Sequence, residues 1–276
     1  MLSAIILLTL GLTLGASYGW KTAGFLAPFL LSLLLAPAFF IWEAHIPRQY
    51  ALLPSSTWRI KNFSILIIIS LFIYSWWGAN FLPLIETWVR VEGERPIIAE
   101  VRVLPQSVSS TCFTVLLTLY PRLVDRPRWT ISIGLVAGVV GYILFSQSTT
   151  RVGADYWRYF FPGFVLGSAG TTAAFTGVNV GIMTSVPPGM AGIAGAVLQV
   201  SLQIGTILAF SIQAGLLTVH PGGINAWTNV QISFYFMIGW GLVWLLIFLS
   251  FYREPGEVKI DEESNGDELD ICEALG

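Results

Sequence analysis

Eight apolar stretches of membrane-spanning length constrain what this sequence can fold into. Crossing about 30 Å of hydrocarbon takes roughly 20 helical residues at a rise of about 1.5 Å each. The stretches lie at 2–18, 23–42, 63–83, 97–119, 130–147, 158–185, 190–218 and 230–252. Only 11% of the residues are charged, against about 25% in soluble domains, so most of the surface must be solvated by lipid. We therefore predict an all-α integral membrane protein with about eight transmembrane helices.

The longest segment between these stretches divides the chain into two units. Residues 43–62 form an amphipathic linker that contains two prolines. We predict two connector helices in 1–42, a cytoplasmic linker at 43–62 and a six-helix bundle in 63–252. The run Val186–Pro187–Pro188–Gly189 separates the sixth and seventh helices, because a proline pair cannot continue a helix.

The charges predict which side of the membrane holds the chain ends. Nine acids and only two bases fall in 253–276, so we predict a disordered, acidic cytoplasmic tail. With eight spans, the linker, loop 120–129 and the tail share one side and carry eight Lys and Arg, against six on the other side. The excess of basic residues favours cytoplasmic termini.

The sequence lacks the patterns that enzymes of the common classes carry. It contains no H-E-x-x-H metal motif, no G-x-S-x-G elbow and no G-x-x-x-x-G-K-[ST] phosphate loop. Its two histidines, His45 and His220, both fall in predicted loops. We predict that the chain is not an enzyme and binds no metal or cofactor, so a gradient rather than ATP would drive any transport.

One loop resembles a motif of a known family. Tyr120–Trp129 is similar to the short cytoplasmic loop G-x-L-x-D-R-x-G-R of the major facilitator superfamily. The matching residue types are Leu123, Asp125, Arg126 and Arg128, while Pro121 stands where the first glycine is usual. The resemblance implies a conformational-switch loop in which Asp125, Arg126 and Arg128 exchange charge pairs as the bundle rocks. The alternative is a plain basic loop.

Further stretches resemble the fungal 14-helix branch of this superfamily, whose members are drug:proton antiporters. They are Arg102–Gln106, Tyr156–Gly163, Gly167–Gly170, Val186–Gly195, Gln199 and Gln203–Gly205. The resemblance implies that the chain corresponds to the connector helices plus the C-terminal half, with an N-terminal half as partner. It also implies multidrug-resistance-type export of small organic compounds by proton-coupled alternating access, in a plasma or vacuolar membrane. The alternatives are an uptake facilitator for ammonium or another small cation, and a truncated membrane protein without transport.

Polar and aromatic side chains inside the spans are the candidates for a substrate cavity, because polarity in lipid is costly and often functional. They are Trp76, Trp77, Asn80, Gln106, Asn179, Gln199 and Gln203. Gln199 and Gln203 are four residues apart and share a helix face. The alternative roles are interhelical hydrogen bonding for the amides and packing for the tryptophans.

Closely spaced glycines are the candidates for helix packing. They are Gly163, Gly167, Gly170, Gly192 and Gly195, which let helices approach closely and either slide or pack statically. No Asp, Glu, Lys, Arg or His falls in the middle of a predicted span. A proton relay needs a titratable group inside the membrane, so these spans alone show no coupling site.

Overall fold

The computed structural model describes residues 2–19, 21–45, 58, 60 and 62–252. Eight long helices account for nearly all of this part. They are α1 (Leu2–Tyr18), α2 (Ala23–His45), α3 (Phe63–Glu86), α4 (Pro96–Leu119), α5 (Pro127–Ser146), α6 (Phe161–Ser185), α7 (Ala191–Leu216) and α8 (Trp227–Phe251). Each overlaps one of the eight predicted stretches, so the all-α prediction is confirmed.

Five of the described segments are long and apolar enough to cross a membrane. They are Ala23–Glu43, Phe63–Val91, Pro127–Ser146, Pro188–Leu216 and Trp227–Phe251. The other three helices are shorter or less apolar. α1 has 17 residues, and α4 and α6 carry more Ser and Thr. The predicted linker 43–62 falls largely outside the described residues and the acidic tail 253–276 entirely, so the division into domains stays a prediction.

Two helix ends differ from the sequence prediction. α3 continues through a π-helical turn, Thr87–Val91, and α6 is preceded by another, Tyr156–Phe160. The break at the proline pair is confirmed: Val186 and Pro187 both have a ψ of 147°, and a 3-10 turn, Pro188–Met190, leads into α7. The extended backbone follows from the clash between a proline ring and the preceding residue.

The bundle is organised around two close helix pairs, α5 with α6 and α3 with α7. A Cβ added to Gly134 of α5 would meet the carbonyl oxygen of Gly170 on α6, so only glycine permits this approach. α1 and α2 pack on each other, and α1 also contacts α7. The aromatic core lies between α3, α5, α6 and α8, with Trp76 and Tyr142 5.6 Å apart and Phe145 and Phe164 5.0 Å apart between ring centroids.

Ion pairs tie together the loops at one end of the bundle, which we call the Arg102/Arg151 end. Arg102 donates through Nε to Glu94 at 2.9 Å, and its guanidinium lies 5.7 Å from Trp88 and 5.2 Å from Tyr156. Arg151 bonds to Glu92 at 3.2 Å and lies 5.6 Å from the Trp227 ring. Charge pairs combined with cation–π contacts hold such loops in one arrangement.

Asp155 orders the loop between α5 and α6 at the same end. Its Oδ2 accepts from the Thr150 N–H at 2.7 Å and from the N–H and hydroxyl of Thr149, both at 3.0 Å. These hydrogen bonds, with Thr150 contributing most, lower the pKa of the carboxyl from 3.8 to about 2. The ionised form is therefore the one that the folded loop favours.

We expect Asp155→Asn to lower the thermal midpoint of the detergent-solubilised protein at pH 7. A folded pKa below the unfolded value stabilises the protein above about pH 4, and that stabilisation is lost as pH falls through about 2. The difference between wild type and variant should therefore shrink between pH 4 and pH 2. Glu100→Gln, at an exposed position, is the control. A constant difference across this pH range would contradict the assignment.

Candidate functional site

A groove lined mainly by aromatic side chains opens between α3, α4 and α7. Its volume is about 350 Å³. The residues that line it are Tyr74, Trp77, Gly78, Phe81, Gln106, Gln203, Thr206 and Phe210. The α3 and α7 positions recur every three or four residues, which places each set on one helix face. We call this feature the aromatic groove.

Four of the eight residues that line the groove are aromatic. Tyr74 and Trp77 meet edge to face with ring centroids 5.5 Å apart, and Tyr74 lies 6.0 Å from Phe175 of α6. Phe81 is 39% exposed and Trp77 is half-buried. Partly exposed rings fixed by their neighbours offer faces and edges on which a flat aromatic ligand can stack.

Two amides supply the hydrogen-bonding groups of the groove. Gln106 is 7% exposed, and its Oε1 has no hydrogen-bond partner among the described residues. Gln203 on α7 is exposed. An amide both donates and accepts, and a buried acceptor without a partner is costly. The groove therefore has unused hydrogen-bonding capacity beside its aromatic wall.

Three of the seven predicted cavity residues, Trp77, Gln106 and Gln203, line this groove together. Trp76 and Asn80 are instead fully buried. The Trp76 Nε1 donates to the Gly138 carbonyl at 2.9 Å, and the Asn80 Nδ2 donates to the Trp76 carbonyl at 2.8 Å. The last two candidates lie elsewhere: Asn179 donates to the Phe175 carbonyl at 2.9 Å within α6, and Gln199 is exposed one turn before Gln203.

Tyr74, Thr206 and Phe210 line the groove but were not among the sequence candidates. In the sequence they look like ordinary residues of a membrane span, because lipid-facing, core and cavity positions share the same residue types. One signal was available. On α3, Tyr74 lies three residues before Trp77 and Phe81 lies four residues after it. On α7, Thr206 and Phe210 lie three and seven residues after Gln203. Each of them therefore shares a helix face with a predicted cavity residue.

The predicted switch loop lies at the end of the bundle opposite Arg102 and Arg151. A 3-10 turn, Pro121–Leu123, precedes α5. Asp125 and Arg126 line a cavity of about 630 Å³, and Arg128 lines a second one of about 510 Å³. None of the three forms an ion pair with another described residue. Their role in switching stays a prediction.

The predicted packing glycines fall into two groups. Gly163, Gly167 and Gly170 are buried, and an added Cβ would meet Phe145, Trp76 and Ala137 respectively. Gly192 has no described neighbour within 4 Å of an added Cβ, and Gly195 has only the Met183 methyl at 3.5 Å. A packing role for these two stays a prediction.

Comparison with known proteins gives one family. The model of the Major Facilitator Superfamily matches residues 104–273. No curated protein matches the chain. Among the residues that the structure describes, no group of three His, Cys, Asp or Glu side chains is placed to hold a metal ion.

Proposed function

The chain belongs to the major facilitator superfamily, and we propose on this basis that it exports small organic compounds by proton-coupled alternating access. Membership supports membrane transport in general. The aromatic groove is the observation that carries the finer proposal, because it gathers Trp77, Gln106 and Gln203 from three helices. We propose that it forms one wall of the substrate cavity.

The position of the groove supports this role. Trp77, Gln106 and Gln203 all lie near the middle of their helices, and transporters of this architecture bind substrate near the bilayer midplane. None of the described residues that line the groove carries a charge. The chemistry suits flat aromatic compounds, neutral or cationic, with a hydrogen-bonding group for the amides.

A second bundle would complete the cavity. The groove is open on one side, and α4 exposes Ser107, Thr111, Thr114 and Thr118 beside it. The three threonines donate to carbonyls four residues earlier, at 2.8 to 2.9 Å, so they tolerate lipid but also suit a helix interface. We propose that an N-terminal transporter half covers this face and supplies the acid for proton coupling.

Conformational change would then move 63–252 as one body. Arg151 at the Arg102/Arg151 end supports this, because its ion pair with Glu92 joins the α5–α6 loop to the α3–α4 loop and its hydrogen bond to the Asn225 carbonyl reaches the α7–α8 loop. Asp125, Arg126 and Arg128 at the other end form no ion pair with another described residue, and we propose that they form charge pairs with a moving partner. We propose that this end faces the cytoplasm, with both termini.

Export of a fluorescent planar cation such as ethidium tests the proposal. Cells that express the chain together with such an N-terminal half should export the dye faster than control cells, and a protonophore should abolish the difference. Trp77→Ala should weaken dye binding to the purified chain about 2- to 10-fold, since an aromatic contact contributes about 0.5–1.5 kcal/mol. Gln203→Ala should weaken it about 2- to 10-fold through one lost hydrogen bond.

Two matched variants control for the loss of a tryptophan or an amide. Trp157→Ala and Gln147→Ala remove exposed side chains outside the groove, and dye binding should stay at the wild-type level. Unchanged binding in both groove variants would exclude the aromatic groove as the site. Export that persists with the protonophore would exclude proton coupling. Binding without export would agree with a cavity that needs its second half.

A further inference from the structure

Three arginines surround the beginning of α5 without an ion-pair partner in the described chain. Arg122 and Arg126 lie in the segment before α5 and Arg128 lies in its first turn, and Asp125 is the single acid among them. All three described ion pairs lie at the opposite end of the bundle. A guanidinium cluster of this kind matches the geometry of a phosphate group.

An apolar groove leads away from this cluster between α4 and α6. Arg122 and Arg126 stand at the rim of its first part, of about 630 Å³, and Leu117 and Ala173 line the space below. Phe113 is shared with a second part of about 670 Å³ that continues along the same two helices. We call the two parts together the α4/α6 groove.

Regular spacing makes the α4/α6 groove continuous. Its α4 wall is the row Pro105, Ser109, Phe113 and Leu117, and its α6 wall is the row Phe161, Val165, Ala169 and Ala173. The Ser109 hydroxyl donates to the Val165 carbonyl at 2.8 Å and joins the two walls. Each row spans twelve residues, or about 18 Å of helix. That is a little more than half of a hydrocarbon core of about 30 Å.

A second apolar groove starts on the other side of Trp129. It has a volume of about 510 Å³, with Arg128 at one end and Val136, Leu245 and Leu249 along α5 and α8. Trp129 and Ile133 line both cavities, and they are 60% and 63% exposed. An exposed Trp at a helix end marks the headgroup level of the bilayer, so both grooves run from that level towards the membrane centre.

We propose that this end of the bundle binds one anionic diacyl phospholipid. Its phosphate lies between Arg126 and Arg128, and one acyl chain follows the α4/α6 groove while the other follows the α5/α8 groove. Two apolar branches from one basic centre match a diacyl lipid better than a single-chain ligand or a peptide. The charge of the cluster favours an anionic headgroup over a zwitterionic one. The proposal rests on the membrane setting and does not depend on the transported compound.

The bound lipid would act on the same loop that is proposed to switch. A phosphate on Arg126 and Arg128 competes with any acid of a second bundle for these guanidinium groups. The lipid composition of the leaflet would then bias the conformational equilibrium, because a ligand favours the state that it binds more tightly.

Native mass spectrometry of the delipidated full chain in detergent tests the site. Phosphatidylglycerol should bind at least about tenfold more tightly than phosphatidylcholine with the same acyl chains. Both lipids offer the phosphate, but the choline ammonium of phosphatidylcholine is repelled by the arginine cluster. The double variant Arg126→Gln, Arg128→Gln should bring the ratio of the two lipid affinities close to one. Arg90→Gln, which removes a 67% exposed arginine at the other end, should leave it unchanged.

A second pair of variants tests the acyl groove independently of the charges. Ala169→Phe fills the α4/α6 groove and should weaken both lipids severalfold, whereas Ala196→Phe at an exposed position on α7 should weaken neither. Glycerol 3-phosphate at the same concentration should not displace the lipid. Equal binding of the two lipids, a preference that survives the double Arg variant, or displacement by glycerol 3-phosphate would overturn the proposal.

Discussion

Gly205→Ala is expected to separate α3 from α7 and to destabilise the bundle by about 1–3 kcal/mol, the usual cost of overpacking. A Cβ on Gly205 would meet the Leu71 carbonyl oxygen and lie 2.8 Å and 2.9 Å from the Leu71 carbonyl carbon and Cα. The obstacle is backbone, which cannot rotate aside as a flexible side chain can. One helix has to move, because protein interiors are close-packed.

The same movement should weaken ligand binding. α3 and α7 carry the two main walls of the aromatic groove, and displacing one changes the distance between Trp77 and Gln203. The measurements are the thermal midpoint of the detergent-solubilised chain and dye binding at a temperature where the variant is folded. We expect both to fall together.

Gly192→Ala is the matched control on the same helix. An added Cβ there has no described neighbour within 4 Å, so stability should be unchanged or slightly higher, since alanine removes the entropic cost of a helical glycine. Equal stability of the Gly205 and Gly192 variants would show that α3 and α7 are not as closely packed as described here.

This comparison shows what the sequence could not predict about the glycines. The sequence candidates included Gly192 and Gly195 but not Gly205 or Gly134. All four lie in apolar helices among small residues. They differ in whether the backbone of another helix lies close to the glycine, and that depends on tertiary packing.

Helix positions were predictable for a physical reason. Lipid requires long apolar helices, so α1 to α8 lie close to the predicted stretches, and the proline pair fixes the break before α7. The two π-helical turns were not predicted: Thr87–Val91 and Tyr156–Phe160 contain no proline or glycine of their own. Their side chains meet across the bundle, with Trp88 and Phe160 5.9 Å apart between ring centroids.

The faces of the helices were harder to predict than their ends. In a soluble helix, polar residues mark the exposed face. In a membrane helix, exposed and buried faces are both apolar, so Trp76 and Trp77 could not be told apart from their neighbours. The structure separates them: Trp76 is fully buried, and Trp77 lines the aromatic groove.

Alanine at these two adjacent positions should therefore give opposite results. Trp76→Ala removes a fully buried ring that lies against Gly167 and 5.6 Å from Tyr142, together with the hydrogen bond to the Gly138 carbonyl. The cavity should cost about 3–5 kcal/mol of unfolding free energy. Trp77→Ala should cost less than about 1.5 kcal/mol, since its ring is only half-buried, but should lose ligand affinity.

Trp76→Phe separates the ring from its hydrogen bond. Phenylalanine keeps most of the aromatic volume and loses the indole N–H, so the expected cost is about 1 kcal/mol for the hydrogen bond plus that of a smaller cavity. Tyr142 donates to the Trp76 backbone carbonyl at 2.6 Å, and this bond survives the substitution. Trp76→Phe should therefore fold and bind dye at nearly the wild-type level, at a lower thermal midpoint.

The decisive comparison sets the change in dye affinity beside the change in thermal midpoint for each of the three variants. If Trp76 is structural and Trp77 binds ligand, the Trp76 variants lower the midpoint and the Trp77 variant lowers the affinity. A Trp77→Ala protein that unfolds as easily as Trp76→Ala would assign both rings to packing. The aromatic groove would then keep only Tyr74, Phe81 and Phe210 as stacking surfaces.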